Sequence, residues 1–188
     1  MSCRFVVRAV ALASLLAAAP AFATRVVHFD TRALVHESSD IVIGEVAGIQ
    51  AHWNERHTKI VTDVEIRVSQ TLKGVPTERL TLRQLGGEVD GMRYHVPGSP
   101  VFANGEQALL FVWRDRAGRA QVNGFAQGKF DIRRDPVTGE RVVERALPGL
   151  AIGNARTLTP LRAGESAPRV PLETMVGEIQ RALAEDGR

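Results

Sequence analysis

The sequence predicts a mainly β domain with a short helical turn near its start and an amphipathic helix at its end. Residues 59–72 alternate apolar and polar side chains, which is the period of a strand with one packed face and one solvated face. Residues 79–85 repeat the alternation directly after a Lys73-Gly74 turn. Near the end, apolar residues recur at helical spacing: Leu172, Met175, Val176, Ile179 and Leu183.

The first residues have the pattern of a secretory signal peptide. Arg4 and Arg8 precede an apolar run over 9–19, and small residues follow it, so residues 1–23 are predicted to be removed after Ala23. We therefore expect export to the periplasm or the medium. The run is shorter than the roughly 20 residues of a membrane-spanning helix, and no second run follows, so no membrane span is expected after cleavage.

Charge and cysteine content argue against two classes of function, nucleic-acid binding and chemistry that depends on a thiol. The chain has 24 Lys and Arg residues against 21 Asp and Glu, and two of the arginines lie in the predicted signal. The mature chain is then almost neutral, which does not indicate a nucleic-acid partner. The single cysteine, Cys3, also lies in the signal, so the mature chain is expected to have no disulfide, thiol nucleophile or thiolate metal ligand.

The elements follow in order along the chain. A short strand over 26–29 precedes a helical turn capped by Asp30 or Thr31. Residues 41–46 are typical of a buried strand, in which Gly44 indicates a bend or a close backbone approach. Residues 108–113 are continuously apolar, which predicts a central strand buried on both sides.

The segments between and after these strands are rich in turn residues. Residues 86–105 are Gly- and Pro-rich, with one short strand expected over 92–96. Strands over 120–125 and 130–133 follow, and Asp135-Pro136-Val137-Thr138-Gly139 has hairpin-turn chemistry. Its return strand is predicted over 140–147.

The predicted organisation after the signal has three parts. A β domain spans 24–147, and a Gly- and Pro-rich excursion spans 148–171. The helix over 172–185 is expected to dock its apolar stripe on the β domain.

Several blocks of the β domain resemble a family of secreted bacterial proteins of unassigned function. These blocks are Ile41-Val42-Ile43-Gly44-Glu45-Val46, Leu72-Lys73-Gly74, Leu85-Gly86-Gly87, Val96-Pro97-Gly98-Ser99-Pro100, Gly105-Glu106 with Leu109-Leu110-Phe111, and Gln127-Gly128-Lys129-Phe130. More remotely, their order is similar to the netrin-like domain of the tissue inhibitors of metalloproteinases. This resemblance implies a small OB-like barrel, closed or partly open. The family's zinc-binding N-terminal cysteine and its disulfides have no counterpart after residue 23, so its inhibitory mechanism is not carried over.

Loops on a rigid barrel are the usual place for recognition, so the candidate binding residues lie in the Gly/Pro-rich segment and at the hairpin tip 52–57. They are Gly86, Gly87, Tyr94, His95, Pro97, Gly98, Pro100, His52, Trp53 and His57. The function expected is a secreted, non-catalytic binding module that engages another envelope or secreted protein, with a metalloprotease as one candidate partner. The alternative is an envelope-structural or assembly factor without a discrete pocket. No cofactor is expected.

Enzymatic chemistry has weaker support. A metal-dependent hydrolase would need His52 and His57 to converge with Glu55 or Asp63, whereas exposed loop histidines are the simpler interpretation, so no metal site is predicted. Around Ser99, the second glycine of a nucleophile turn is missing.

Nucleic-acid binding also has weak support. Aromatic residues are sparse, although stacked bases need them. A stripe of Arg79, Arg83 and Arg93 is better interpreted as a solvated strand face.

Overall fold

The computed structural model describes residues 25–27, 30–146, 151–153 and 169–186. The predicted signal peptide over 1–23 and most of the predicted excursion over 148–171 lie outside these residues. In the described part of the chain, no helix is long and apolar enough to cross a membrane.

The elements follow one another in the predicted order, with strands outnumbering helices. The helices are α1 (Thr31–Glu37) and α2 (Leu172–Asp186), and a 3₁₀ helix spans Phe125–Gly128. The first strands are β1 (Arg25–Val27), β2 (Asp40–Trp53), β3 (Ile60–Lys73), β4 (Arg79–Leu85), β5 (Gly87–Val89) and β6 (Met92–Tyr94). The later strands are β7 (Gln107–Arg114), β8 (Ala120–Val122), β9 (Lys129–Arg134), β10 (Arg141–Glu144), β11 (Ala151–Gly153) and β12 (Val170–Pro171).

Five strands close into a barrel in the order β2-β3-β4-β8-β7, with β7 returning to β2. All neighbours are antiparallel except β4 and β8, which pair in parallel. Numbered along the barrel alone, the order is 1-2-3-5-4, the topology of an OB-type barrel. The predicted mainly β fold, with an OB-like barrel, an N-terminal helical turn and a C-terminal helix, is thereby confirmed.

The predicted central strand is buried on both sides, as expected. β7 is buried from Ala108 to Val112. Its Leu110 side chain joins the apolar cluster inside the barrel, while Phe111 joins a second cluster outside it. The second cluster is covered by α1 and α2, through Leu34, Val35, Leu172, Met175, Val176 and Ile179. The sheet continues past β7 through β9, β10 and β12, so β7 separates two cores.

Gly44 lies at the close backbone approach that the sequence indicates. A Cβ atom at this position would lie 2.6 Å from the Arg67 carbonyl oxygen and from the Ile66 side chain. The β2–β3 register also shifts between Ile43 and Gly44. A strand that curls tightly to close a small barrel uses such bulges and small residues at its bends.

Candidate binding face

The barrel topology defines one surface for the site. In OB-type barrels the second and third strands, with the loops between strands 1–2 and 4–5, form the surface that binds ligands. Here these parts are β3, β4, the hairpin tip, which the structure places at residues 54–59, and the β7–β8 turn (residues 115–119). We call this surface the OB face.

The hairpin tip is held in one conformation by Asn54. Its Oδ1 accepts hydrogen bonds from the backbone N–H groups of Thr58 at 2.8 Å and Lys59 at 3.1 Å. Its own backbone N–H donates to the Lys59 carbonyl at 2.8 Å. His57 takes a left-handed conformation with φ 51°, and its ring stacks on Trp53 with the centroids 6.3 Å apart. The tip is therefore ordered by its own polar groups.

The β7–β8 turn uses the same device. Asp115 Oδ1 accepts from the backbone N–H groups of Ala117 at 2.8 Å and Arg119 at 3.0 Å. Asp115 Oδ2 accepts from Arg119 Nε at 2.7 Å, and these bonds lower the pKa of Asp115. Gly118 supplies the left-handed residue with φ 77°. Both loops that border the OB face are thus fixed by a side chain that bonds backbone N–H groups.

A hydrogen-bonded network joins the OB face strands β3 and β4 to the neighbouring strand β2. Arg83 on β4 donates to Asp63 on β3 through Nε at 2.7 Å and Nη2 at 2.8 Å. The same carboxylate lies 3.0 Å from Nε2 of His52 on β2. His52 Nδ1 lies 2.8 Å from the carbonyl oxygen of Trp53. Asp63 pairs directly with Arg83 in the β3–β4 register and with Gln50 in the β2–β3 register. His52 lies two residues after Gln50 on the same face of β2, so its ring reaches Asp63 diagonally.

The network shifts the ionisation of its members. Both ring nitrogens of His52 face acceptors, and only the imidazolium can donate to both, so the Trp53 carbonyl and then Asp63 raise the pKa of His52. The paired Arg83 guanidinium, followed by the His52 hydrogen bond, lowers the pKa of Asp63, while its desolvation acts in the opposite direction. The network therefore favours a carboxylate between two cations.

A cleft of about 480 Å³ lies between the hairpin tip, β4 and the end of the β7–β8 turn. It is lined by Asn54, Glu55, Arg56, Thr58, Lys59, Val61, Arg83, Gln84, Leu85, Arg119 and Gln121. Four of these side chains are cationic and one is a carboxylate. Val61 and Leu85 supply apolar surface, and Leu85 is 42% exposed. The cleft is positive, with an apolar patch.

A second groove, of about 630 Å³, lies beside the cleft and shares Arg83 and Arg119 with it. Its other arginines are already paired, since Arg79 Nη1 lies 2.6 Å from Glu65 and Arg114 Nε lies 2.9 Å from Asp40. Each arginine of this groove thus has a carboxylate neighbour within the domain. Surface pairs of this kind leave little uncompensated charge for a ligand.

The predicted binding residues fall in two places. Five of them, Gly86, Gly87, Tyr94, His95 and Pro100, line a separate hollow of about 200 Å³. Of the other two in the Gly/Pro-rich segment, Gly98 is buried and Pro97 is exposed. His52, Trp53 and His57 lie at the end of β2 and in the hairpin tip, next to the cleft. Five residues of the first group therefore line one hollow, whereas none of the second group is among the residues that line the cleft.

Several residues of the cleft were not predicted from the sequence. Lys59, Gln84, Arg119 and Gln121 lie outside the predicted contact segments, whereas Asn54 and Arg56 lie within the predicted tip 52–57 but were not singled out. Their proximity depends on the parallel pairing of β4 with β8, which no local pattern encodes. Only part of the arginine stripe considered from the sequence is present in the structure. Arg79 and Arg83 share one face of β4. Arg93 lies instead on the β5–β6 ribbon, where it pairs with Glu88.

In the described part of the chain, no group of three or more His, Cys, Asp or Glu side chains is placed to hold a metal ion. His52 is committed to the Trp53 carbonyl and Asp63, while His57 stacks on Trp53. The two histidines do not converge with Glu55 in this arrangement.

No protein-family model and no curated protein sequence matches this chain. Topology and surface define its class, an OB-type barrel with a pre-formed cleft on the surface where such barrels bind ligands. That surface is therefore the candidate functional site.

Proposed function

We propose that this protein is a secreted, non-catalytic binding module whose OB face engages another envelope or secreted protein. The observation that carries the proposal is that hydrogen bonds hold both loops beside the cleft in one conformation. Asn54 and Asp115 each fix a loop through two backbone N–H groups. A surface that is already ordered loses less conformational entropy when a partner binds, which favours affinity.

The pre-formed cleft also favours this function over the alternative, an envelope-structural or assembly factor without a discrete pocket. A structural factor needs no concave surface with positive charge and apolar patches side by side. The metal-dependent hydrolase has less support still, because the side chains it would use are held in other contacts. A secreted metalloprotease stays our candidate partner on the resemblance to the netrin-like inhibitors.

The proposal is tested by affinity capture from envelope and culture-medium fractions of the producing organism. Three baits are compared: the wild-type protein, Gln121→Trp and Gln180→Trp. Gln121 lines the cleft, so a tryptophan there fills it, whereas Gln180 is exposed on α2 and serves as the matched control. Circular dichroism checks that all three baits fold.

We expect one protein to be enriched by the wild type and Gln180→Trp but lost with Gln121→Trp, and to bind the wild type when purified. A partner retained equally by all three baits would contradict binding through the OB face. If no partner is enriched by any bait, the binding-module function is wrong.

A further inference from the structure

We infer that the cleft on the OB face binds carboxylate side chains of an extended acidic segment in the partner protein. This inference rests on the proposed function and adds the chemistry of the ligand. It is carried by two cations whose side chains have no partner among the described residues and by the chemical make-up of the cleft.

The two cations are Arg56 and Lys59. Both are exposed on the hairpin tip and line the cleft. The other cations of the cleft are paired, Arg83 with Asp63 at 2.7 Å and Arg119 with Asp115 at 2.7 Å. Among the residues that the structure describes, none forms an ion pair or hydrogen bond with the side chain of Arg56 or Lys59. These two charges are therefore available to an anionic ligand.

The composition of the cleft favours a peptide over a nucleic acid. None of its lining residues in the described chain is aromatic, so it offers no platform on which bases stack. The apolar surface of Val61 and Leu85 would pack against aliphatic parts of a peptide. Glu55 also lines the cleft, and Asp63 and Asp115 pair with two of its arginines. The cleft therefore has fewer unpaired cations than the several phosphate contacts of a nucleic-acid groove require.

The rigid tip supports the same ligand. Lys59 is held through its backbone N–H by Asn54, and Arg56 lies inside the same closed turn. Two cations at fixed backbone positions can be matched by acidic side chains along an extended segment at little entropic cost.

The experiment measures binding of a fluorescent hexaglutamate peptide to the purified protein by fluorescence anisotropy, with hexaglutamine as the neutral probe. We expect hexaglutamate alone to bind, with an affinity that falls as salt is added. Arg56→Ala combined with Lys59→Ala should weaken binding at least about tenfold, the size expected when charge-assisted hydrogen bonds are lost. The matched control is Arg133→Ala combined with Arg181→Ala, which removes two exposed charges elsewhere and should leave binding unchanged.

Three outcomes overturn the inference. Equal binding of hexaglutamine, or equal loss with the control pair, would show that the cleft does not recognise carboxylates. Tighter binding of an oligothymidylate or an oligogalacturonate with the same dependence on Arg56 and Lys59 would assign the cleft to another class of polymer.

A further outcome, from the capture experiment, separates this inference from the proposed function. A captured partner that is lost with Gln121→Trp but still binds the Arg56/Lys59 variant would keep the binding module and reject the acidic segment. If no partner is captured and hexaglutamate does not bind, both proposals fail.

Discussion

The hairpin tip and the Gly/Pro-rich segment are both irregular, but they are ordered by different means. In the tip, a side chain does the ordering, because Asn54 bonds the backbone of Thr58 and Lys59. In the Gly/Pro-rich segment, backbone geometry does it, through glycines with positive φ at 86, 87, 91, 98 and 105. The tip is therefore ordered by a polar side chain, and the Gly/Pro-rich segment by the backbone conformations of its glycines.

The Gly/Pro-rich segment is bonded to the rest of the domain along its length. Gly86 donates to the Ile60 carbonyl at 3.0 Å and accepts from Thr62 Oγ1 at 2.7 Å. The carbonyl of Gly98 accepts from Ala126 at 2.9 Å, and Phe102 packs against the interior cluster of the barrel. Much of this segment fits closely against the barrel, whereas the tip projects charged side chains beside an open cleft. Its role in recognition stays a prediction.

The largest effect that tests this comparison is expected from Gly86→Ala. The residue has φ 107°, and a Cβ atom there would lie 2.9 Å from the Tyr94 carbonyl oxygen. We expect the free energy of unfolding in urea to fall by about 3 kcal/mol, from backbone strain together with the close contact. Gly91→Ala is the matched control, because its φ is also positive, at 73°, but nothing lies within 4 Å. It should cost about 1 kcal/mol. Equal losses would mean that the segment is not fitted against the barrel at Gly86.

Much of the fold could be predicted because the longer strands and the C-terminal helix follow local sequence patterns, whereas the short strands β5, β11 and β12 were not predicted. The alternation in β3, the continuous apolar run of β7 and the helical spacing in α2 each reflect burial on known faces. The closure of the barrel could not be predicted from local sequence patterns. It depends on the single parallel bridge between Leu82 and Ala120 and on the pairing of β7 with β8, and the resemblance supplied what the pattern could not.

A smaller effect is expected at the hairpin tip from Asn54→Ala. The change removes the acceptor of two backbone N–H groups, which should lower the free energy of unfolding by about 1 kcal/mol. Amide hydrogen exchange at Thr58 and Lys59, followed by NMR, should become faster because both amides lose their acceptor. Asn104→Ala is the control, since that side chain is exposed in another turn, and should change stability by only a few tenths of a kcal/mol. Unchanged exchange at Thr58 would contradict ordering by Asn54.

The candidate site was harder to predict than the fold, for a physical reason. The sequence draws attention to glycine, proline, histidine and aromatic residues, and it correctly places His52 and His57 near one another at the end of a hairpin. Arg56, Gln84 and Arg119 are ordinary residues on three separate segments. They become a cleft only when β4 pairs with β8 and brings the β7–β8 turn beside the tip.

The smallest effect is expected from the pH dependence of the His52 network. Folding raises the pKa of His52 above its ordinary value of 6.5, first through the Trp53 carbonyl and then through Asp63. Its contribution to stability is therefore complete below pH 6.5 and is lost as the pH rises through the folded-state pKa. Because the side chain is 37% exposed, screening should limit this loss to a few tenths of a kcal/mol. In His52→Gln, the fall in unfolding free energy between about pH 6 and pH 8 should be smaller than in the wild type by that amount. A His52 titration by NMR with a midpoint below 6.5 would show that neither acceptor stabilises the imidazolium.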